Sequence, residues 1–246
     1  AHPLGYAHVL SSSSTSVRRQ IVKGIKHGID KYGLKFLKGH THPDTSYDAV
    51  DAMVVGIAHN IIASTIAKAD DNLIVAIDLD GNPGLKGWVK TFDSVMFKTR
   101  EQVLTRLEAI IQIAEKKLAH ACRDLSGPGV VGTIGMLCES SREGASITID
   151  DIPKPKILAM EEWLTTYPST GFVFATSNPE DWLELLRQHG LAANVIGTIS
   201  KTRAIRISYQ GQSETFMNLE KESIFGFQPG NRAEHCANHR CVGGTE

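Results

Sequence analysis

Residues 121–136 read ACRDLSGPGVVGTIGM, and how this stretch is read decides how the chain is organised. An acidic residue, a small hydroxyl and four glycines stand where one helix is expected to end and another to begin. Asp124 can hold a cation there, and the free N–H groups at the next helix start can hold the oxygens of an anion. Pro128 suits the first helical turn, where its missing donor costs nothing. Gly127, Gly129 and Gly132 would let a ligand approach the backbone closely. The plain alternative is a tight turn whose glycines let two helices pack.

Working outward, the segment before this stretch predicts a long helix over about residues 99–122. Val103, Leu107, Ile110, Ile111, Ala114, Leu118 and Ala121 share one apolar face, with Glu101, Arg106, Glu108, Lys116 and Lys117 outside it. After the glycines comes a helix to about Ser141, then a strand at 146–149 and a rigid IPKP connection. A short helix around Trp163, a strand at 171–176 and a helix from Pro179 to His189–Gly190 follow. Segments 194–199 and 204–209 read as an antiparallel pair.

Nearer the start, residues 4–10 read as a strand and the serine run after it offers N-caps. Val17, Ile21, Ile25 and Ile29 then fall four apart, the stripe of an amphipathic helix. Gly24 and Gly28 would let that helix lie close to a sheet, and Gly33 stops it. Residues 35–39, 48–58 and 73–79 are further strands. The turn-rich DGNPGLKG after the last of them is the expected domain boundary. The expected division is therefore 1–82, 83–222 and an irregular tail over 223–246. Strands and helices mix without strict βαβ alternation, which predicts α+β layers rather than a doubly wound sheet.

Composition narrows the function classes. The chain has 246 residues, 41% hydrophobic and 22% charged, with a formal net charge of −1. That near-neutral balance argues against a nucleic-acid groove or an anionic membrane surface as partner. No apolar run approaches a membrane span and no signal peptide opens the chain, so a cytoplasmic location is the expectation. The four cysteines do not make a disulfide framework. His235, Cys236, His239 and Cys241 cluster in the tail, but their spacing is not a standard zinc pattern.

Two other motifs compete for the chemistry. GPGVVG matches the dinucleotide fingerprint at Gly127, Gly129 and Gly132, yet such a turn must follow a strand, and a helix is expected before it. KGHTHPD, residues 38–44, alternates His40 and His42 ahead of Asp44 after a short strand. Metal ligands can be arranged that way, as in amidohydrolase-type enzymes, which makes a metal-dependent hydrolase the main alternative. Later histidines at strand ends, which such a centre would need, are missing from the pattern. Simple hydrogen bonding in a loop is the plain reading of the pair.

GHTHPD, DLDG, RDLSGPGVVGT, GTIGMLCESS and IPKP with a following Trp occur in one order along the chain. Together they resemble the superfamily of aminoimidazole ribonucleotide synthetase, selenophosphate synthetase, thiamine-monophosphate kinase and the hydrogenase-maturation dehydratase. The resemblance covers residues 1 to about 219. It implies two layered α/β domains, the first incomplete here, because in that superfamily the nucleotide domain begins before the AHPLG strand, with paired aspartates. The chain starts AHPLGYAHVL, without Met, which suits either a processed start or a fragment.

The resemblance further implies ATP and Mg²⁺ as cofactors, a small-molecule substrate and a homodimer with joined sheets. By the same resemblance Lys38, Gly39, His40 and Thr41 form a nucleotide-contacting turn, with Lys38 in place of a family glycine. Asp124 is then the magnesium ligand, and Ser126, Gly127 and Gly129 shape the phosphate-facing backbone. Asp44 is a further metal candidate, with Asp48 and Asp93 behind it, although each also reads as a turn or surface residue. His40 or His42 is the candidate acid or base. Phosphoryl transfer asks mainly for positioning and charge neutralisation, so one aspartate beside a glycine-rich helix start is a plausible half-site. A non-catalytic nucleotide-binding or dimerisation fragment remains the other alternative.

Overall fold

The computed structural model describes residues 1–87 and 89–226. Strand β1 (His2–Ser11) leads through Ser14, whose hydroxyl accepts from the Val17 N–H, into helix α1 (Thr15–Tyr32). Gly33 ends that helix at φ +67°, the left-handed conformation that favours glycine. Strands β2 (Lys35–His42) and β3 (Ala49–Ile57) flank β1, β2 parallel to it and β3 antiparallel. Nearly every residue of β2 and β3 is exposed.

Strand β4 (Asn72–Ile77) follows, with residues 73–77 all fully buried. Then come β5 (Asn82–Lys86) and β6 (Lys90–Asp93), a small antiparallel pair. Helix α2 (Arg100–Glu115) starts with a capping box: Thr99 and Gln102 each bond the other's backbone N–H. The chain continues through β7 (Ala121–Asp124), α3 (Gly129–Ser141), β8 (Gly144–Thr148), a 3-10 turn at Ile149–Asp151 and α4 (Met160–Leu164). Strand β9 (Thr166–Pro168) joins β6 in parallel. Strand β10 (Gly171–Thr176), helix α5 (Glu180–Gln188), and strands β11 (Ala192–Ser200), β12 (Ala204–Tyr209) and β13 (Gln212–Asn218) complete the described chain.

Seven strands form one mixed sheet in the order β13-β12-β8-β11-β4-β10-β7. Its two faces carry two cores, which is why β4 is an unbroken apolar run rather than an alternating one. Leu73, Val75 and Ile77 face α3 and α4, where the Trp163 indole donates to the Pro153 carbonyl at 2.9 Å. Ile74 and Ala76 face α2 and α5, with Phe174 edge-on to Trp182. The first sheet reaches this layer through α1, which packs on α2. Lys31 at its end donates to the carbonyls of Val95 and Met96. The architecture is thus mixed α/β, as expected.

Several elements differ from the sequence expectation. The helix expected to reach Cys122 stops at Glu115: Lys117 turns to φ +53° and the Leu118 N–H closes on the Ile113 carbonyl. Residues 121–124 are instead a strand held against β10. Segments 192–200 and 204–209 are not paired with each other, because β8 lies between them, antiparallel to β11 and parallel to β12. Gly24 and Gly28 do not touch a sheet; a Cβ at either would meet nothing within 4 Å.

Candidate functional site

Asp124 is the last residue of β7 and exposed, at the edge of the large sheet. The chain then turns sharply. The Leu125 N–H bonds the Gly171 carbonyl at 2.9 Å, and the Gly129 N–H bonds the Ser126 carbonyl at 2.9 Å. Thr133, one turn into α3, accepts from the Ser126 N–H at 3.5 Å. Pro128 is the N-cap of α3 and supplies no side-chain cap, and no acidic side chain stands in the first turn. The first N–H groups of the helix lack an intrahelical partner by geometry, so this end favours negative charge.

The glycines divide by cause. Gly129 sits at φ +71°, and a Cβ there would lie 2.1 Å from the Leu164 carbonyl oxygen. Gly132 faces the Pro128 ring, at 2.6 Å from an added Cβ. Both are therefore required by the protein's own packing rather than by a ligand. Gly127 is open, with only Val89 near, at 3.8 Å. The open part of this turn offers an exposed carboxylate at Asp124, the half-buried Ser126 and backbone at Gly127 that no side chain covers closely. The turn also follows a strand, not a helix as expected. That strand is a sheet-edge strand antiparallel to its neighbour, not the parallel strand a dinucleotide turn follows.

Asp124 pairs in register with Phe172, so the two side chains stand on the same face of the sheet. Phe172 in turn lines a cavity of about 930 Å³. Its walls are Ile21, Ile25 and Ile29 of α1 and Leu104 and Leu107 of α2. Burial first, then the Asp124 carboxylate, push the Cys122 thiol well above its ordinary range.

KGHTHPD is placed differently from expectation. Lys38, Gly39, His40 and Thr41 lie within β2, an edge strand, and form no turn. The imidazoles of His40 and His42 are neighbours, centroids 4.7 Å apart. Asp44 lies past the strand end and is exposed. Among the described residues, no three His, Cys, Asp or Glu side chains converge to hold a metal, so the triad of the hydrolase alternative is not assembled. Asp93 is a turn residue: its carboxylate accepts from the N–H groups of Val95 and Met96. The Cys/His tail lies outside the described residues.

Two charged groups escaped the sequence reading, one at each end of β4. Asp78 is 1% exposed; Arg106 Nε donates to it at 2.8 Å, and Lys98 Nζ lies 3.4 Å away. Lys98 also pairs with Asp80 at 3.0 Å. At the other end, buried Asp71 holds His120 Nδ1 at 2.8 Å. The signal for Asp78 was available: a carboxylate closing an all-buried strand needs a cation.

Comparison with known proteins places the chain. A family model described as AIR synthase related protein, C-terminal domain, matches residues 68–210. An uncharacterized protein of Methanocaldococcus jannaschii is 34% identical over 228 residues, which cover 91% of this chain and 70% of that protein. Among solved structures, Thermotoga maritima PurL complexed with ATP superposes with a TM-score of 0.71 at 19% identity. That match covers 94% of this chain and 40% of PurL, so the chain spans well under half of PurL's length. The HypE–HypF complex matches with a TM-score of 0.67 at 16% identity, over 89% of this chain and 78% of that one. No helix among the described residues is long and apolar enough to cross a membrane. The family match spans more than half of the sequence and takes in the whole β4-to-α5 core, so the chain belongs to the AIR synthase related family.

Proposed function

We propose that this chain is part of an ATP- and Mg²⁺-dependent enzyme that phosphorylates a small molecule, as a cytoplasmic homodimer. The observation that carries the reading is the exposed Asp124 carboxylate leading straight into the uncapped N-terminus of α3. The family match and a fold shared with a PurL solved with ATP support it. In this reading Asp124 holds the magnesium, with Asp44 as a further candidate ligand from the first sheet. Ser126, Gly127 and the backbone ahead of Gly129 face the phosphates. Lys38, Gly39, His40 and Thr41 contribute a second contact from β2, as an exposed strand segment, with His40 or His42 as acid or base. Bound magnesium would neutralise phosphate charge, and the protein's part is to position and orient.

The test is calorimetric titration of the chain with a non-hydrolysable ATP analogue, with and without Mg²⁺. Magnesium-dependent binding that disappears in Asp124→Ala is the expected result. Binding that ignores both the metal and the substitution would overturn the assignment of Asp124.

A further inference from the structure

Arg123, at the head of the candidate turn, is a half-buried cation that makes no ion pair among the described residues. Burying a charge without a counter-charge is costly. Its neighbour Asp124 does not answer it. Arg123 pairs with Val173 and Asp124 with Phe172, and successive side chains of a strand stand on opposite faces. Val173 belongs to the core that packs on α3, so Arg123 stands on the α3 side of the edge strand β7. The first turn of α3 carries no acidic side chain either.

What meets Arg123 is a ring: its guanidinium carbon lies 5.5 Å from the centre of Phe225, a cation–π distance. A strap places that ring. After β13 the chain returns over α3, where the Glu139 carboxylate accepts three bonds. The Ser223 hydroxyl donates to Oε1, and the N–H groups of Ile224 and Phe225 donate to Oε2 at 2.8 and 3.2 Å. Ile224 fills the space above Gly135, one turn nearer the start of the helix; a Cβ there would lie 2.6 Å from its Cδ1. The strap therefore runs towards the N-terminal end of α3 and finishes on Arg123. Stacking holds a guanidinium by its face and leaves its N–H fork free for paired oxygens.

We propose that Arg123 is an anion-binding residue of the Asp124 turn, its guanidinium taking phosphate oxygens of a bound polyphosphate, with Phe225 and Glu139 as positioning residues; this rests on the ATP reading for the identity of the anion. A polyphosphate across the end of β7 meets the metal at Asp124 on one side and the guanidinium on the other.

Two calorimetric titrations of the full chain test it. Sodium tripolyphosphate without metal reads the Arg123 contact alone, and the ATP analogue with Mg²⁺ reads the whole site. Arg123→Gln should weaken both by about tenfold or more, the loss of a charge-assisted pair. Arg123→Lys keeps the charge but not the fork, and it should fall between the two, which covers a glutamine variant that does not fold. Phe225→Ala should weaken tripolyphosphate binding by about threefold, and Phe225→Tyr should restore it, because its ring stacks as phenyl does. Phe225→Trp adds a spectroscopic readout: its emission should change with tripolyphosphate, and not when Arg123→Gln is combined with it. Tripolyphosphate binding that is absent from the unsubstituted chain, or unchanged in the Arg123 variants or in Phe225→Ala, would overturn the proposal. Arg123-dependent tripolyphosphate binding in a chain that ignores the ATP analogue would keep the anion site and reject the nucleotide, so the two readings fail separately.

Discussion

Gly129 and Gly211 both adopt positive φ, +71° and +80°, yet they should respond differently to alanine. Gly211 turns the β12–β13 hairpin with nothing within 4 Å of an added Cβ, so only backbone strain is paid, about 1 kcal/mol. Gly129 adds a collision with the Leu164 carbonyl, which a backbone shift must relieve, and about 3 kcal/mol or more is expected. Urea unfolding of Gly129→Ala and Gly211→Ala measures the difference. The thiols give a pH signature. Burial first, then Glu143, push Cys138 up from 9.0 to about 12. The folded thiol thus keeps a proton that the unfolded one sheds above 9.0. Its stabilising contribution is complete below 9.0 and is lost as pH rises towards 12. Between pH 9.0 and 10, unfolding free energy should fall, and Cys138→Ala should flatten that fall by up to about 1.4 kcal/mol per pH unit. Asp124 and Ser126 could be singled out as candidates at this scale because acid, hydroxyl and glycine adjoin in sequence. The partners of Gly129 and Gly132 were not, because Leu164 is remote and Pro128 matters only once the turn closes.

At the scale of elements, α1 and α2 test opposite things. Helix α1 contains no buried residue, and Gly28 faces open space in its interior. Gly28→Ala should therefore raise stability by about 1 kcal/mol through helix propensity, some 2–4 °C in Tm by calorimetry. A fall in Tm would mean that something fills the cavity beside it. Helix α2 is tied to the end of β4 by Arg106 and Asp78, with Lys98 beside them. Asp78→Ala leaves two largely buried cations without their carboxylate, and a loss of about 3–5 kcal/mol in urea unfolding is expected. The capping box of α2 was not singled out, though Thr99 and Gln102 carry its signal. The stop of α2 could not be read, since Lys117 takes a left-handed conformation without a Gly or Pro to announce it.

At the scale of the whole molecule, the two halves are covered unequally. The large sheet has helices on both faces, whereas Phe36, Leu37, Met53, Val55 and Ile57 of the first sheet are exposed. Apolar surface of that extent marks a contact surface. Met53 pairs with Ala7 on the outer face, away from the α1 cavity. In the proposed dimer, sedimentation should find two copies per particle, and Met53→Asp should shift the equilibrium towards one. A single-copy species at all concentrations in the unsubstituted chain would remove the dimer from the reading.

Periodicity and local chemistry were enough for the sequence by itself to determine α1, α3, the strand at 171–176 and the helix after Pro179. Motif order also pointed to the family that the comparisons established. Each of these signals lies within a few residues of its cause. Strand order, the β7 pairing that turned a helical tail into a strand, the extended course of residues 38–42, and the ion pairs at both ends of β4 were decided only by the tertiary structure. Each depends on partners far apart in sequence, where local propensity is overridden by burial and by the backbone's need for hydrogen bonds.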